Sequence, residues 1–133
     1  MKSPKSDIDF EIKFYEGVID KTPDFARALM ILGDLYTKKG WHQKGLEIDL
    51  RLFSLRPKDP CILYNLACSY SLTGQVDAAF AAIKRAVDNG YADFHHLERD
   101  SDLSNLMNNG HFQRYFTGLK KLYPSLTKKS YPR

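Results

Sequence analysis

An internal repeat constrains this chain more than any other feature, because a fixed period defines the unit that must stack. Laying residues 26–59 over 60–93 brings Leu29 onto Leu63, Leu32 onto Leu66, Tyr36 onto Tyr70, Gly40 onto Gly74 and Arg51 onto Arg85. Gly33 falls on Ala67 and Leu46 on Phe80, and one period earlier Pro23 falls on Pro57. The period is 34 residues, the size of one supersecondary unit that cannot bury its apolar face alone.

Each recurring residue type has a physical use. Leu29, Leu32 and Tyr36, spaced i, i+3 and i+7, line one face of a helix. Gly33 and Ala67 stand where a small side chain lets a second helix approach closely. Gly40 and Gly74 follow the last periodic residue, where glycine accepts the left-handed conformation that ends a helix. A second helix is expected at once, around Trp41 to Arg56 and around Gln75 to Asn89. Pro57 then prevents helical continuation, as Pro23 does one period before. The unit is helix, tight turn, helix, tight turn.

The run Leu29-x-x-Leu32-Gly33-x-x-Tyr36, followed by Gly40 and Pro57, resembles a tetratricopeptide repeat. The second copy, Leu63-x-x-Leu66-Ala67-x-x-Tyr70 with Gly74, Ala79 and Ala86, is the closer match; the first departs from the family at Gly45 and Asp49. The resemblance implies an all-α fold, a right-handed superhelical solenoid of antiparallel helix pairs with about seven helices. Residues 1–6 are expected to be disordered and 7–123 to form a single domain. Within it lie a leading helix at 7–22 (Ile8, Ile12, Tyr15, Val18, Ile19), repeats at 26–59 and 60–93, and a degenerate capping repeat at 94–123. That last segment is similar to the terminal unit of bacterial members of the family. In it, Asp100 or Ser101 is placed to cap a short helix through Met107. Asn109-Gly110 makes a turn, and Phe112, Phe116, Leu119 and Leu122 form an apolar stripe on a last helix. Residues 124–133 read as a basic, solubilising disordered tail.

Composition narrows the function classes. The net charge is +4, and Lys128, Lys129 and Arg133 in the tail leave +1 for the rest. That is too mild for a dedicated nucleic-acid or anionic-membrane surface. Cys61 and Cys68 lie seven residues apart on one helix, so their Cα atoms are ~10.5 Å apart. A disulfide tolerates no more than ~7 Å, so both are expected as free thiols in the cytoplasm. No apolar run follows the basic residues at the N-terminus, and no stretch approaches a membrane span.

Signatures of chemistry are sparse. The sequence has no GxGxxG, GxxxxGK[ST] or GxSxG. A thiol nucleophile needs a neighbouring base, yet His42, His95, His96 and His111 fall at turns and in the cap. His95 and His96 point to different sides of a helix, and no CxxC or HExxH spacing occurs, so no metal and no cofactor is expected. Asp100 and Asp102 at a helix start read as caps. No catalytic residue is assigned. A helical repeat that reads RNA needs basic side chains recurring on one face. Here Arg27 and Lys38 are replaced one period on by Cys61 and Leu72, which leaves weak RNA binding as the lesser alternative.

What remains is a non-catalytic scaffold or adaptor that binds a protein or peptide. The resemblance implies that the first helices line a concave groove carrying the ligand contacts. Residues outside the Leu-Leu-Tyr stripe are assigned to that face: Arg27, Met30, Asp34 and Lys38, then Tyr64, Cys68 and Leu72. Met30, Tyr64 and Leu72 are expected to form an exposed apolar cluster. Family members that clamp a chaperone's C-terminal carboxylate use Lys and Asn where Met30 and Asp34 stand. Asp34 would repel a carboxylate, so no such clamp is expected. Trp41, matched by Gln75 in the next repeat, is a candidate exposed contact for a partner. Homo-oligomerisation through exposed helix faces is the alternative within binding.

Overall fold

A computed structural model describes residues 4–127, which form eight α-helices and two 3-10 turns and, among the described residues, no strand. The helices are α1 (Pro4–Lys21), α2 (Ala26–Lys38), α3 (His42–Leu55), α4 (Pro60–Leu72), α5 (Val76–Asp88), α6 (Phe94–Arg99), α7 (Ser104–Met107) and α8 (Gly110–Leu122). From α1 to α5 each helix packs on the next through a short connection, which makes neighbours antiparallel. The 3-10 turn Ser101–Leu103 packs against α4.

The repeated stripe builds this stack. Leu29, Leu32 and Tyr36 are buried on α2, and Leu63 and Leu66 on α4. Tyr70, the second tyrosine of the stripe, is half-buried. Gly33 permits the approach of α3, since a Cβ there would stand 3.2 Å from Cγ2 of Ile48. Gly40 and Gly74 turn the chain with φ of 81° and 79°. At each, a pair of bonds closes the helix end: Gly40 N donates to Thr37 O at 3.0 Å and Trp41 N to Tyr36 O at 2.9 Å. Gly74 N to Ser71 O at 3.0 Å and Gln75 N to Tyr70 O at 2.8 Å repeat that geometry, the Schellman arrangement that needs a left-handed residue. Helix starts recur as well. Asp59 accepts from Cys61 N at 2.9 Å, and Asp93, one period later, accepts from His96 N at 3.0 Å.

Several expectations need correction at the ends. Pro4–Lys21 is one helix, so residues 4–6 are helical rather than disordered. The described residues hold eight helices against the expected about seven, the extra break lying in the cap, where Asp100 is extended (φ −79°, ψ 113°) and divides its first arm. The chain there runs through α6, the Ser101–Leu103 turn and α7. Leu122 is exposed and falls outside the apolar stripe of Phe112, Phe116 and Leu119. Pro124–Thr127 is a 3-10 turn whose Leu126 packs against the core, so the domain outlasts residue 123. Residues 1–3 of the expected disordered N-terminus and 128–133 of the tail, with Lys128, Lys129 and Arg133, lie outside the described residues.

The close approach at Gly33 gives a direct test. Gly33→Val places branched carbon against Ile48 and is expected to lower stability by about 1–3 kcal/mol, or roughly 3–10 °C in Tm. Thermal unfolding followed by circular dichroism measures it; an unchanged Tm would refute the tight α2–α3 seam.

Candidate binding groove

Four parts of the fold converge on one cavity of about 150 Å³. Met30, Asp34 and Thr37 come from α2, Tyr64, Cys68 and Leu72 from α4, and Asp49 and Leu52 from α3, with His96, Asp100 and Asp102 closing it from the cap. Of the residues assigned to a groove from sequence, Met30, Asp34, Tyr64, Cys68 and Leu72 line this cavity. Arg27 and Lys38 are exposed and not part of its lining. Lys38 Nζ lies 3.0 Å from Asp34 Oδ2, an ion pair at the rim.

The expected exposed apolar cluster is not there as such. Met30 is 40% exposed, but Tyr64 is 6% and Cys68 8% exposed, and Leu72 is half-buried. The reason is the cap, which folds back over α4. Tyr64 donates its hydroxyl to Asp100 Oδ2 at 2.6 Å, and its ring stacks on Tyr91 with centroids 4.5 Å apart. Cys68 Sγ reaches the same carboxylate oxygen at 3.8 Å, and His96 Nε2 lies 3.3 Å from it. The other oxygen of Asp100 accepts from Asp102 N at 3.0 Å, capping the 3-10 turn. The capping role expected of Asp100 is therefore present, and the same side chain also holds the groove wall.

Burial shapes the protonation states. Burial, with Asp100 and Asp102 beside it, pushes the Cys68 thiol well above its ordinary range. A nucleophilic cysteine needs the opposite shift. Burial likewise raises Tyr64, helped by Cys68 and the bond to Asp100. Asp102 is raised by burial and then by Asp100. Asp49, 8% exposed, is pushed up to about 6 by burial, against the pull of the hydroxyl of Ser69, which donates to Oδ2 at 2.5 Å.

Sequence spacing missed Asp49, His96, Asp100 and Asp102 as one constellation. Contacts such as Tyr64–Asp100 join residues 36 apart, beyond any helical periodicity. The departure from the repeat pattern at Asp49 was the available signal for its burial. Cys68, Asp100 and Asp102 each offer a ligand atom, all within 4.8 Å of one another, a group that the absence of metal motifs did not foreshadow. Its mix of thiol and carboxylate selects no particular metal. Trp41 sits at the start of α3, partly exposed, with its ring 5.9 Å from Tyr36. Lys39 and Lys44 place their ammonium groups 5.4 Å and 5.3 Å from that ring.

Asp49 makes a pH-dependent contribution. Its folded-state value of about 6 exceeds the ordinary 3.8, so it favours folding at pH below about 4 and loses that effect as pH rises through about 6. Asp49→Asn keeps an acceptor for Ser69 and removes the buried charge. It is expected to raise stability at pH 7.5 by up to ~3 kcal/mol, with a smaller gain at pH 5. Urea unfolding at the two pH values measures this; an equal gain at both would refute the raised carboxyl.

Residues 62–89 match the family model for the tetratricopeptide repeat. A 74-residue stretch is 32% identical to a chloroplastic protein of Arabidopsis thaliana, spanning 53% of this chain and 22% of that protein. The chain thus covers less than a quarter of that relative. Among solved structures, the MamA RS-1 ArsTM double mutant superposes with a TM-score of 0.65 at 16% identity, over 90% of this chain and 70% of that one. A crystal structure of MamA protein superposes with a TM-score of 0.63 at 22% identity, over 92% and 71%. These likenesses are of fold.

Proposed function

We propose that this chain, a tetratricopeptide-repeat protein, is a non-catalytic scaffold or adaptor that binds a protein or peptide in the groove between α2, α4 and the cap. The observation that carries the reading is the convergence of side chains from four parts of the fold on one cavity, five of them singled out by the repeat alone. Binding, rather than chemistry, suits what stands there. The thiol of Cys68 is held protonated, and Asp100 is engaged by Tyr64 and by the 3-10 turn. Asp34 at the rim disfavours a partner's C-terminal carboxylate, which argues against a chaperone clamp. The free thiols of Cys61 and Cys68 support a cytoplasmic setting.

Met30 and Leu72 test the groove better than Tyr64, whose loss would disturb the cap. Met30→Glu with Leu72→Glu is expected to reduce capture of partners from the native organism at least tenfold in an affinity pull-down read by mass spectrometry. Glu47→Lys, on an exposed site of α3 outside the cavity, is expected to leave capture unchanged. Equal capture by both variants would remove the groove from the function.

A second reading, self-association, draws on Phe10 and Phe14, both exposed and four residues apart on α1. Sedimentation velocity across a concentration series would then show a dimer that Phe10→Ser with Phe14→Ser converts to monomer. A monomer at every concentration would refute it.

A further inference from the structure

We propose that helix α1 pairs with α1 of a second copy of this chain, antiparallel and across a two-fold axis that passes beside Phe14. This rests on the self-association reading and names the surface that carries it. The repeat itself marks the outer face of α1 as a seat for a helix. One period on, Glu11, Phe14 and Val18 correspond to Gly45, Ile48 and Leu52 of α3, and one period further to Ala79, Ala82 and Ala86 of α5. All of those later residues are buried. On α3 the cover is the preceding helix, since Gly33 of α2 stands against Ile48. On α1 the same positions stand open: Glu11 is exposed, Phe14 is more than half exposed and Val18 is half-buried. α1 packs on α2 through its other side, where Ile12 and Ile19 are buried.

The chemistry of that face matches itself. At ~3.6 residues per turn, Asp7, Phe10, Gly17 and Lys21 share the side of the helix that Phe14 occupies. Set antiparallel about Phe14, Asp7 meets Lys21 of the second copy and Phe10 meets its Val18, while Glu11 meets its Gly17. Each contact is made twice, as a two-fold interface requires. A Cβ at Gly17 would stand in open space, so the Glu11 chain has room to lean toward Lys21 of the second copy. The acids of this face lie at its N-terminal end and its lysine at the C-terminal end, so antiparallel pairing joins opposite charges. Parallel pairing would set Asp7 and Glu11 against their own kind, where like charges repel. Phe10 and Phe14, each more than half exposed, supply the apolar centre.

A head-to-tail contact with the last helix is less well matched. α8 carries His111, Arg114, Lys120 and Lys121 and no acid, so it offers Lys21 no opposite charge. Area sets the strength of the pairing. One helix pair buries less than the ~1,200 Å² total of a standard interface, so the dimer is weak and forms only at high concentration.

The test uses the full chain in sedimentation velocity across a concentration series. The unaltered protein is expected to be dimeric at about 0.5 mM and monomeric at about 5 μM, as the small area implies. Asp7→Lys with Glu11→Lys is expected to weaken the dimer by roughly tenfold or more, and so is Lys21→Glu, because each sets like charges face to face. All three substitutions together restore opposite charges only in the antiparallel pair. Their association is expected to return to within about threefold of the unaltered protein. A second measurement needs no variant: amide resonances of the ¹⁵N-labelled unaltered chain, followed on dilution, are expected to shift within residues 7–21. A monomer at every concentration would overturn the pairing together with self-association, and leave the seat to a helix of another protein. A dimer whose dilution shifts lie outside residues 7–21, or a triple variant no tighter than its parts, would overturn the pairing and leave self-association standing.

Discussion

Helix α4 is held from both sides by hydrogen bonds its sequence does not advertise, and the rest of the fold is arranged around that clamp. On one side Ser69 donates to the buried Asp49 of α3. On the other, Ser71 Oγ accepts from Leu106 N at 3.3 Å, and its carbonyl accepts from Asn105 Nδ2 at 2.8 Å. Tyr64 completes the set by donating to Asp100. Apolar burial alone would let neighbouring helices slide along α4, because dispersion and hydrophobic forces are not directional. These polar links fix the register of the preceding repeat and of the cap against the same helix. They also explain why a helix rich in buried side chains carries serine at two buried positions: each hydroxyl is partnered, so its burial is not penalised.

Much of the fold was legible because the repeat states its own punctuation. The Leu-Leu-Tyr stripe, the left-handed Gly40 and Gly74 and the small residue at Gly33 each have one physical use, and the structure employs them in it. The pairing of Asp59 with Asp93 one period apart was equally available as a cap signal and went unread. The broken first arm of the cap was not legible. α6 and α7 have six and four residues, too short for periodicity to register. Their break depends on the backbone that Asp100 adopts while serving Tyr64 and Asp102 at once.

The groove was legible by position and illegible by character. Counting along helices identified which side chains face away from the stripe, hence Met30, Asp34, Tyr64, Cys68 and Leu72 on one wall. It treated them as open surface, since nothing in a helical wheel shows that a later segment returns to cover it. The return of the cap buries Tyr64 and Cys68 and brings in two further carboxylates. An apolar face on paper thereby becomes a partly enclosed acidic cavity. Asp49 shows in the sequence only as a departure from the repeat pattern, and its burial follows from the closeness of α3 to Gly33.

The apolar interior is divided. One cluster joins Ile12, Ile19, Leu29, Leu32 and Leu52 with Ile62 of α4, and another joins Leu66, Ala67 and Ile83 with the cap, while Phe53 touches both. In a stacked array each unit holds mainly to its neighbours, so such a seam is where the two halves would part first under load. The groove lies across it, with Met30 and Asp34 on the first half and Tyr64 and Asp100 on the second. Anything seated there acts as a clasp. Its binding energy adds to the cohesion between the halves, on top of the Ser69–Asp49 link that already joins them.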